Sequence, residues 1–450
     1  MQIQKPKQGY KLVKSLFGKS EEIPEEWNKT NLIQLCTNKP EYGANVPAIE
    51  KNVGLPRYIR ITDLNDDGSL RDDEWKSILE QHARDYLLKE GDIVFARTGA
   101  TVGKTYLYRK KDGKCAFAGY LIRFVPDKGK LDPDFLFYYT HSTRYWRWLD
   151  SIQTWGVQPN VNAELYSYMP LLLPTVPEQQ KIASILLNVD SLIQQTQKEI
   201  EQTQRLKKGL MQRLLTKGIG HTKFKGCLFT NHGRISLGSI PEKWDLKTVK
   251  ELEKEAFVID YQDGNHGELH PKTSDFTQSG KPFLTASQID ENGNILLSEC
   301  KKLPEHFWKK LRIGFSQAKD VLFTHNATVG RVAVLPEDFP DCIVGTSITY
   351  YRLNEEKIDR FYFGYILRSN FIIKQYSTEM DQTTRQQFSI LKQAKLKIPL
   401  PKLKEQQKIA SILSNVDSQI KKQQESKTHF ETLKKGLMQK LLTGQIRVKV

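Results

Sequence analysis

Gly99–Thr105 reads GATVGKT, a cluster of glycines, a lysine and a hydroxyl from which phosphate-binding loops are made. It is one residue short of G-x-x-x-x-G-K-[ST], whose amides cradle phosphates while the lysine and hydroxyl reach the terminal phosphate and its metal. A related turn at Asn326–Arg331, NATVGR, has asparagine for the first glycine and no hydroxyl after the arginine. Nucleotide binding therefore does not fit both turns. Backbone amides beside a basic residue, Lys104 or Arg331, suit a nucleic-acid phosphate in both.

Reading bases needs long polar side chains on exposed loops, Arg or Lys for guanine and Asn or Gln for adenine. Candidates stand at matching places around the two turns. Arg97 and Thr98 precede the first, His325 and Asn326 occupy the same place at the second, and Thr101 and Thr328 lie inside the turns. Further on, Gln158, Asn160 and Asn162 answer Thr384, Arg385, Gln386 and Gln387; upstream, Arg57, Tyr58 and Arg60 answer Pro282, Phe283 and Thr285, with Gln288 nearby. A formal charge of +16, from 68 Lys+Arg against 52 Asp+Glu, favours a polyanionic partner.

Other chemistry has no pattern to rest on. The five cysteines (Cys36, Cys115, Cys227, Cys300, Cys342) form no C-x-x-C pair, and no H-E-x-x-H is present, so neither a disulfide framework nor a metal site is expected. No G-x-G-x-x-G opens a helix, no N-P-P-Y or D-P-P-Y appears, and Pro126-Asp127 supplies only a chance P-D with no nuclease constellation around it. Catalysis is expected to come from partners. Without a membrane-length apolar run or an N-terminal apolar core, the expectation is a soluble, cytoplasmic protein.

The elements that must position these loops are organised as a duplication. Glu178–Asp190, EQQKIASILLNVD, and Glu405–Asp417, EQQKIASILSNVD, differ at one position; so do Leu206–Thr216, LKKGLMQRLLT, and Leu433–Thr443, LKKGLMQKLLT. Upstream, IPEEW at Ile23–Trp27 answers IPEKW at Ile240–Trp244, but the intervening sequence has diverged. Segments that hardly change do one job twice; segments that differ recognise two things.

In the unchanged segments apolar residues recur at Ile182, Leu186, Val189, Ile193, Ile200, Leu210 and Leu214, the spacing of a helix of about 38 residues and roughly 57 Å. Gly218 and Gly444 serve as C-caps. So narrow a stripe on so long a helix predicts that the two copies pair as an antiparallel coiled coil, with the domains at opposite ends of the rod. Repeated polar positions, Gln179, Gln180, Lys207, Lys208 and Gln212 against Gln406, Gln407, Lys434, Lys435 and Gln439, are read as a docking face present twice. The diverged segments mix β-rich runs such as DIVFA and SITYYRL with short helices, predicting α+β domains with strongly twisted or barrel-like sheets.

The expected fold class is therefore α+β: two α+β domains alternating with two long helices in an internal pseudo-two-fold repeat. The expected boundaries are an N-terminal segment 1–22, domains 23–175 and 240–402, long helices 176–218 and 403–446, a linker 219–239 and a tail 447–450.

With IPEEW/IPEKW, GATVGK/NATVGR and the repeated EQQKIASIL helix starts, the whole chain closely resembles the DNA specificity subunit of type I restriction-modification systems. The resemblance implies that each diverged domain is a target recognition domain reading one half of an asymmetric, bipartite DNA site. It also implies that the helices set the spacer and dock two methyltransferase subunits, which bind S-adenosylmethionine, and through them endonuclease/translocase subunits using ATP and Mg. The chain itself would hold no cofactor or metal and would not be catalytic. Asn326 departs from the glycine usual in the turn. The alternative from the residues alone is a non-catalytic scaffold that binds nucleic acid regardless of sequence; an intrinsic nuclease or methyltransferase of unusual sequence would instead be active as the isolated chain.

Overall fold

The computed structural model describes residues 6–14, 20–152, 159–230, 234–264, 270–326, 328–380 and 387–449. They fall into two compact units, Met1–Gln197 with Glu425–Val450, and Lys198–Gln424. The long helices run over Val176–Lys217, 42 residues, and Leu403–Leu441, 39 residues. Each contributes its first half to one unit and its second half to the other. Pro177 lies in a first turn, where a missing amide costs nothing, and Gly218 follows at φ +63, the left-handed conformation that closes a helix.

In the first unit Ile182, Ala183 and Leu186 share a core with Met438, Leu441 and Leu442. Glu178 binds Arg447 and Asp190 binds Lys434, so numbering rises on one helix as it falls on the other. The second unit repeats this. Leu214 and Leu215 pack with Ile409, Ala410 and Leu413, while Glu405 accepts the Ile219 amide and Asp417 binds Lys207. Antiparallel pairing of the helices thus holds within each unit.

Each unit adds a sheet of the same order. In the first, β1 (Glu41–Tyr42), β2 (Ile93–Ala96), β3 (Thr105–Leu107) and β4 (Leu121–Phe124) run antiparallel in the order β1-β4-β2-β3. In the second, β5 (Val258–Asp263), β6 (Val321–Thr324), β7 (Val332–Val334) and β8 (Ile348–Leu353) take the order β5-β8-β6-β7. β2 is buried on both faces: Ile93 and Phe95 face the core shared with the helices, Val94 and Ala96 a second core beneath a smaller sheet. That is why this stretch reads as a continuous apolar run rather than an alternating one.

The smaller sheets also correspond. Arg57–Ile59 pairs parallel with Cys115–Phe117, and Lys281–Leu284 pairs parallel with Cys342–Val344. The stretch expected as a linker, 219–239, contains instead most of a hairpin, Phe224–Thr230 against Arg234–Pro241. The N-terminal segment holds its counterpart, Tyr10–Lys14 against Ser20–Pro24. Both hairpins lead into the IPExW motifs, and their mixed polar and small residues hide the alternation that would mark them as strands. Among the described residues no helix is long and apolar enough to cross a membrane.

His141 closes the helix Pro133–Thr140, its Nδ1 2.7 Å from the Phe137 carbonyl and its ring 4.4 Å from the Phe137 ring. Loss of solvation holds its pKa below the ordinary imidazole value; Lys434 adds to this, while the Phe137 carbonyl, Asp67 and Asp190 oppose it. Below about pH 6.5 the unfolded chain binds a proton that the folded chain resists. Stability is therefore present above that pH and lost as pH falls through the window below it. Thermal unfolding from about pH 7 down to about pH 5 should show this acid-side loss, and His141→Gln should reduce it.

Candidate nucleic-acid interface

The repeated residues build a buried polar frame. Trp27 donates from Nε1 to Glu178 Oε2 at 2.9 Å, and Trp244 from Nε1 to Glu405 Oε2 at 3.2 Å. Glu178 also accepts from Arg447 Nε at 2.6 Å, and Glu405 lies 2.9 Å from His221 Nε2. Next along each helix, Gln179 accepts the Asp132 amide and donates to the Lys130 and Pro174 carbonyls. Gln406 accepts the Asp359 amide and donates to the Pro401 carbonyl. Asp132 and Asp359 in turn cap the helices Pro133–Thr140 and Arg360–Leu367.

One and a half turns on, Tyr138 donates to Asp190, which Lys434 meets at 2.6 Å; Tyr365 donates to Asp417, which Lys207 meets at 2.5 Å. Both lysines also lie over their tyrosine ring.

This corrects four of the ten docking candidates. Gln179 and Gln406 are fully buried, and Lys207 and Lys434 are held by carboxylates of the same unit. Their identity is repeated because the same internal bonds are made twice. Gln180, Lys208, Gln212, Gln407, Lys435 and Gln439 are exposed and remain as the repeated outer face. Gln179→Ala should cost about 2–4 kcal/mol by stranding buried backbone groups, whereas Gln180→Ala should stay within about 0.5 kcal/mol; urea unfolding of the two variants checks the contrast.

The turn after β2 is positioned by packing. Gly103 takes φ +88, and a Cβ there would lie 2.2 Å from Leu149; Gly330 takes φ +98 against the Tyr376 hydroxyl. Only glycine fits. Most of the expected amide cradle for a phosphate in the first turn is already engaged. The Gly99, Val102, Gly103 and Lys104 amides already donate to Pro159, Gly99, Ala96 and Thr101 carbonyls. Lys104 binds Asp66 at 2.7 Å, holding that carboxyl below its ordinary range, and reaches the Leu64 carbonyl. Arg331 reaches the equivalent Ile289 carbonyl at 2.8 Å. The shared basic residue ties the turn to the neighbouring loop.

Several other candidates are likewise engaged. Arg57 pairs with Asp72 and Arg60 with Asp63. Gln288 accepts the Thr285 amide and hydroxyl in a cap matching Arg60 and Asp63. Asn162 caps the helix Ala163–Ser167 through the Leu165 amide, and the Thr101 hydroxyl turns back to the Thr98 carbonyl. Thr328 is exposed, its carbonyl taken by the Thr324 hydroxyl. Gln158, Arg385 and Gln386 lie outside the described residues.

What the structure does bring together is the rim at the end of β2 and its counterpart at β6. The Arg97 amide donates to the Tyr120 carbonyl, the Val161 amide donates to the Arg97 carbonyl, and Thr98 bridges to Asn160. In the second unit the His325 amide donates to the Ser347 carbonyl, the Phe388 amide donates to the His325 carbonyl, and Asn326 bridges to Gln387. The backbone frame is the same and the side chains on it differ. Arg97 lies over the Tyr42 ring at 4.9 Å. His325 is only 1% exposed and lies 3.4 Å from Asp263, which also accepts the Thr349 hydroxyl at 2.6 Å. His325 is thus corrected from an exposed reader to an internal pair.

Tyr42 and Asp263 were missed by the sequence reading. Each directly precedes a glycine, Gly43 or Gly264, whose missing Cβ admits a neighbouring carbonyl. Matching those two glycines would have placed both residues.

A family model described as the type I restriction modification DNA specificity domain matches twice, over residues 24–202 and 241–428. Two proteins of Methanocaldococcus jannaschii are similar along most of their length. The putative type I restriction enzyme MjaX specificity subunit is 30% identical over 452 residues, covering 96% of this chain and 97% of its own. The type I restriction enzyme MjaVIII specificity subunit is 27% identical over 385 residues, covering 84% and 85%. A solved structure of a type I restriction-modification S subunit from M. genitalium shares the fold at a TM-score of 0.55 and 14% identity, covering 92% of this chain and 96% of that one.

Proposed function

Because the chain belongs to the type I restriction-modification DNA specificity family, we propose that it is the non-catalytic, DNA-reading subunit of a type I restriction-modification complex. Each unit reads one half of an asymmetric, bipartite duplex site. The observation that supports this best is the rim: one backbone frame occurs twice, bearing Arg97 on Tyr42 in one copy and His325 on Asp263 in the other. A frame kept while its side chains change is what two readers of different sequences require. The excess of cations adds salt-dependent affinity for the backbone.

The exposed repeated residues, Gln180 with Lys435 and Gln439 in one unit and Gln407 with Lys208 and Gln212 in the other, dock one methyltransferase subunit per unit. Those subunits carry S-adenosylmethionine, and endonuclease subunits that use ATP and Mg join through them. The test is to purify the chain with its methyltransferase subunit and select binders from a random duplex library at fixed salt. Two short, unequal sequence blocks at a fixed separation are expected. Enrichment of nothing, with equal affinity for every duplex, would mean a sequence-independent scaffold.

A further inference from the structure

The arginines of the first unit are mostly committed. Arg57 meets Asp72, Arg60 meets Asp63, Arg109 meets Asp134, Arg123 meets Glu41 and Arg144 meets Glu21. Arg97 differs from these in one respect: among the described residues no carboxylate lies within 4.0 Å of its guanidinium; its Nε, like those of Arg57, Arg123 and Arg144, is buried without a hydrogen-bond partner. The side chain is nonetheless fixed. Its backbone is bonded on both sides, to Tyr120 and Val161, and its guanidinium lies over Tyr42. Tyr42 is fixed too, its hydroxyl accepting the Ala163 amide at 3.1 Å.

A planar guanidinium held over an aromatic ring loses little freedom when its outer edge makes two parallel hydrogen bonds. The partners with matching paired acceptors on a duplex are a guanine, through O6 and N7, and a phosphate. The location favours the base. Lys104 and Arg331, basic in both copies, tie the turns to protein carbonyls, whereas the Arg97 position changes to a buried histidine in the other copy. A contact to the uniform backbone would serve both half-sites and would have no reason to change.

We propose that Arg97, held over the Tyr42 ring, reads a guanine in the half-site recognised by the first unit, with Tyr42 as its positioning residue. The second unit has no guanidinium at this place and reads its half-site with other side chains, half-buried Asn326 and exposed Gln387 being the bridged pair on its rim. This rests on the functional reading above and specifies one base of it.

The chain is co-expressed with its methyltransferase subunit, and adenine methylation is mapped across a genome for the unaltered protein, Arg97→Lys, Arg97→Ala, Tyr42→Phe and Tyr42→Ala. A guanine in one half of the motif is expected. Arg97→Lys and Arg97→Ala should relax that single position by roughly tenfold to a hundredfold and leave the other half unchanged. Tyr42→Ala should relax the same position, and Tyr42→Phe, which keeps the ring, should not. Equal melting temperatures for Arg97→Lys and the unaltered chain separate misreading from misfolding. A uniform loss of methylation at all sites, or an unchanged motif, overturns the guanine assignment while leaving the two-reader function standing. A complex that methylates no defined motif overturns that function and the assignment with it.

Discussion

Trp27→Ala should lower the stability of the first unit by about 3–5 kcal/mol, the range for emptying a large buried aromatic site. Trp27 is fully buried in the core that joins the sheet to the paired helices. Its indole N–H is a partner of Glu178, itself only 1% exposed. The substitution therefore leaves a cavity and also removes a hydrogen bond from a buried carboxylate. Trp244→Ala should act in the same way through Glu405 in the second unit. Trp27→Phe keeps most of the volume and should cost only about 1–2 kcal/mol.

Hydrogen exchange localises the effect. In Trp27→Ala protection should fall around Ile182–Leu186 and Met438–Leu442, and in Trp244→Ala around Leu214, Leu215 and Ile409–Leu413, the residues that share each core. A loss under about 0.5 kcal/mol, as for a surface change, would contradict the role given to the IPExW motifs.

Exchanging residues 28–170 for the equivalent stretch of a relative with another specificity should replace one half of the methylated site outright and leave the other half unchanged. The exchange keeps Trp27, Glu178 and Gln179, which hold the domain onto its helix. It changes Tyr42, Arg97 and Asn160 together, so the reading rim passes over as a unit. Methylation mapping of the chimera checks it. Alteration of both halves, or of neither, would mean that the two units do not read separately.

The duplication, the long helices, their antiparallel pairing and the Gly218 cap were legible because they depend on period and spacing within short stretches. The double-sided burial of β2 was visible as the run IVFA for the same reason. The fate of polar side chains was not legible. Lys207 and Lys434 look like solvated helix lysines until the fold brings Asp417 and Asp190, more than two hundred residues away, within reach. Gln179 looks like a docking residue until the Lys130 carbonyl and Asp132 amide arrive beside it.

Repetition between the copies marks residues under constraint, without saying whether a partner or the chain's own interior applies it. The turns misled in the same way. GATVGK has the composition of a phosphate loop, but four of its six amides donate to the Ala96, Gly99, Thr101 and Pro159 carbonyls, and the bond from Gly99 to Pro159 is one that only the tertiary structure supplies. Arg97 was one candidate among many in the sequence. Its distinction, a half-buried guanidinium that lies over Tyr42 on the rim without a carboxylate partner, is a fact of three dimensions.

The most direct measurement is the adenine methylation pattern that the unaltered chain directs across a genome when co-expressed with its methyltransferase subunit, read by single-molecule sequencing. Two readers on one chain predict a single motif in two unequal parts separated by a fixed number of unspecified base pairs. A continuous motif, a symmetric one, or methylation without any motif would contradict it.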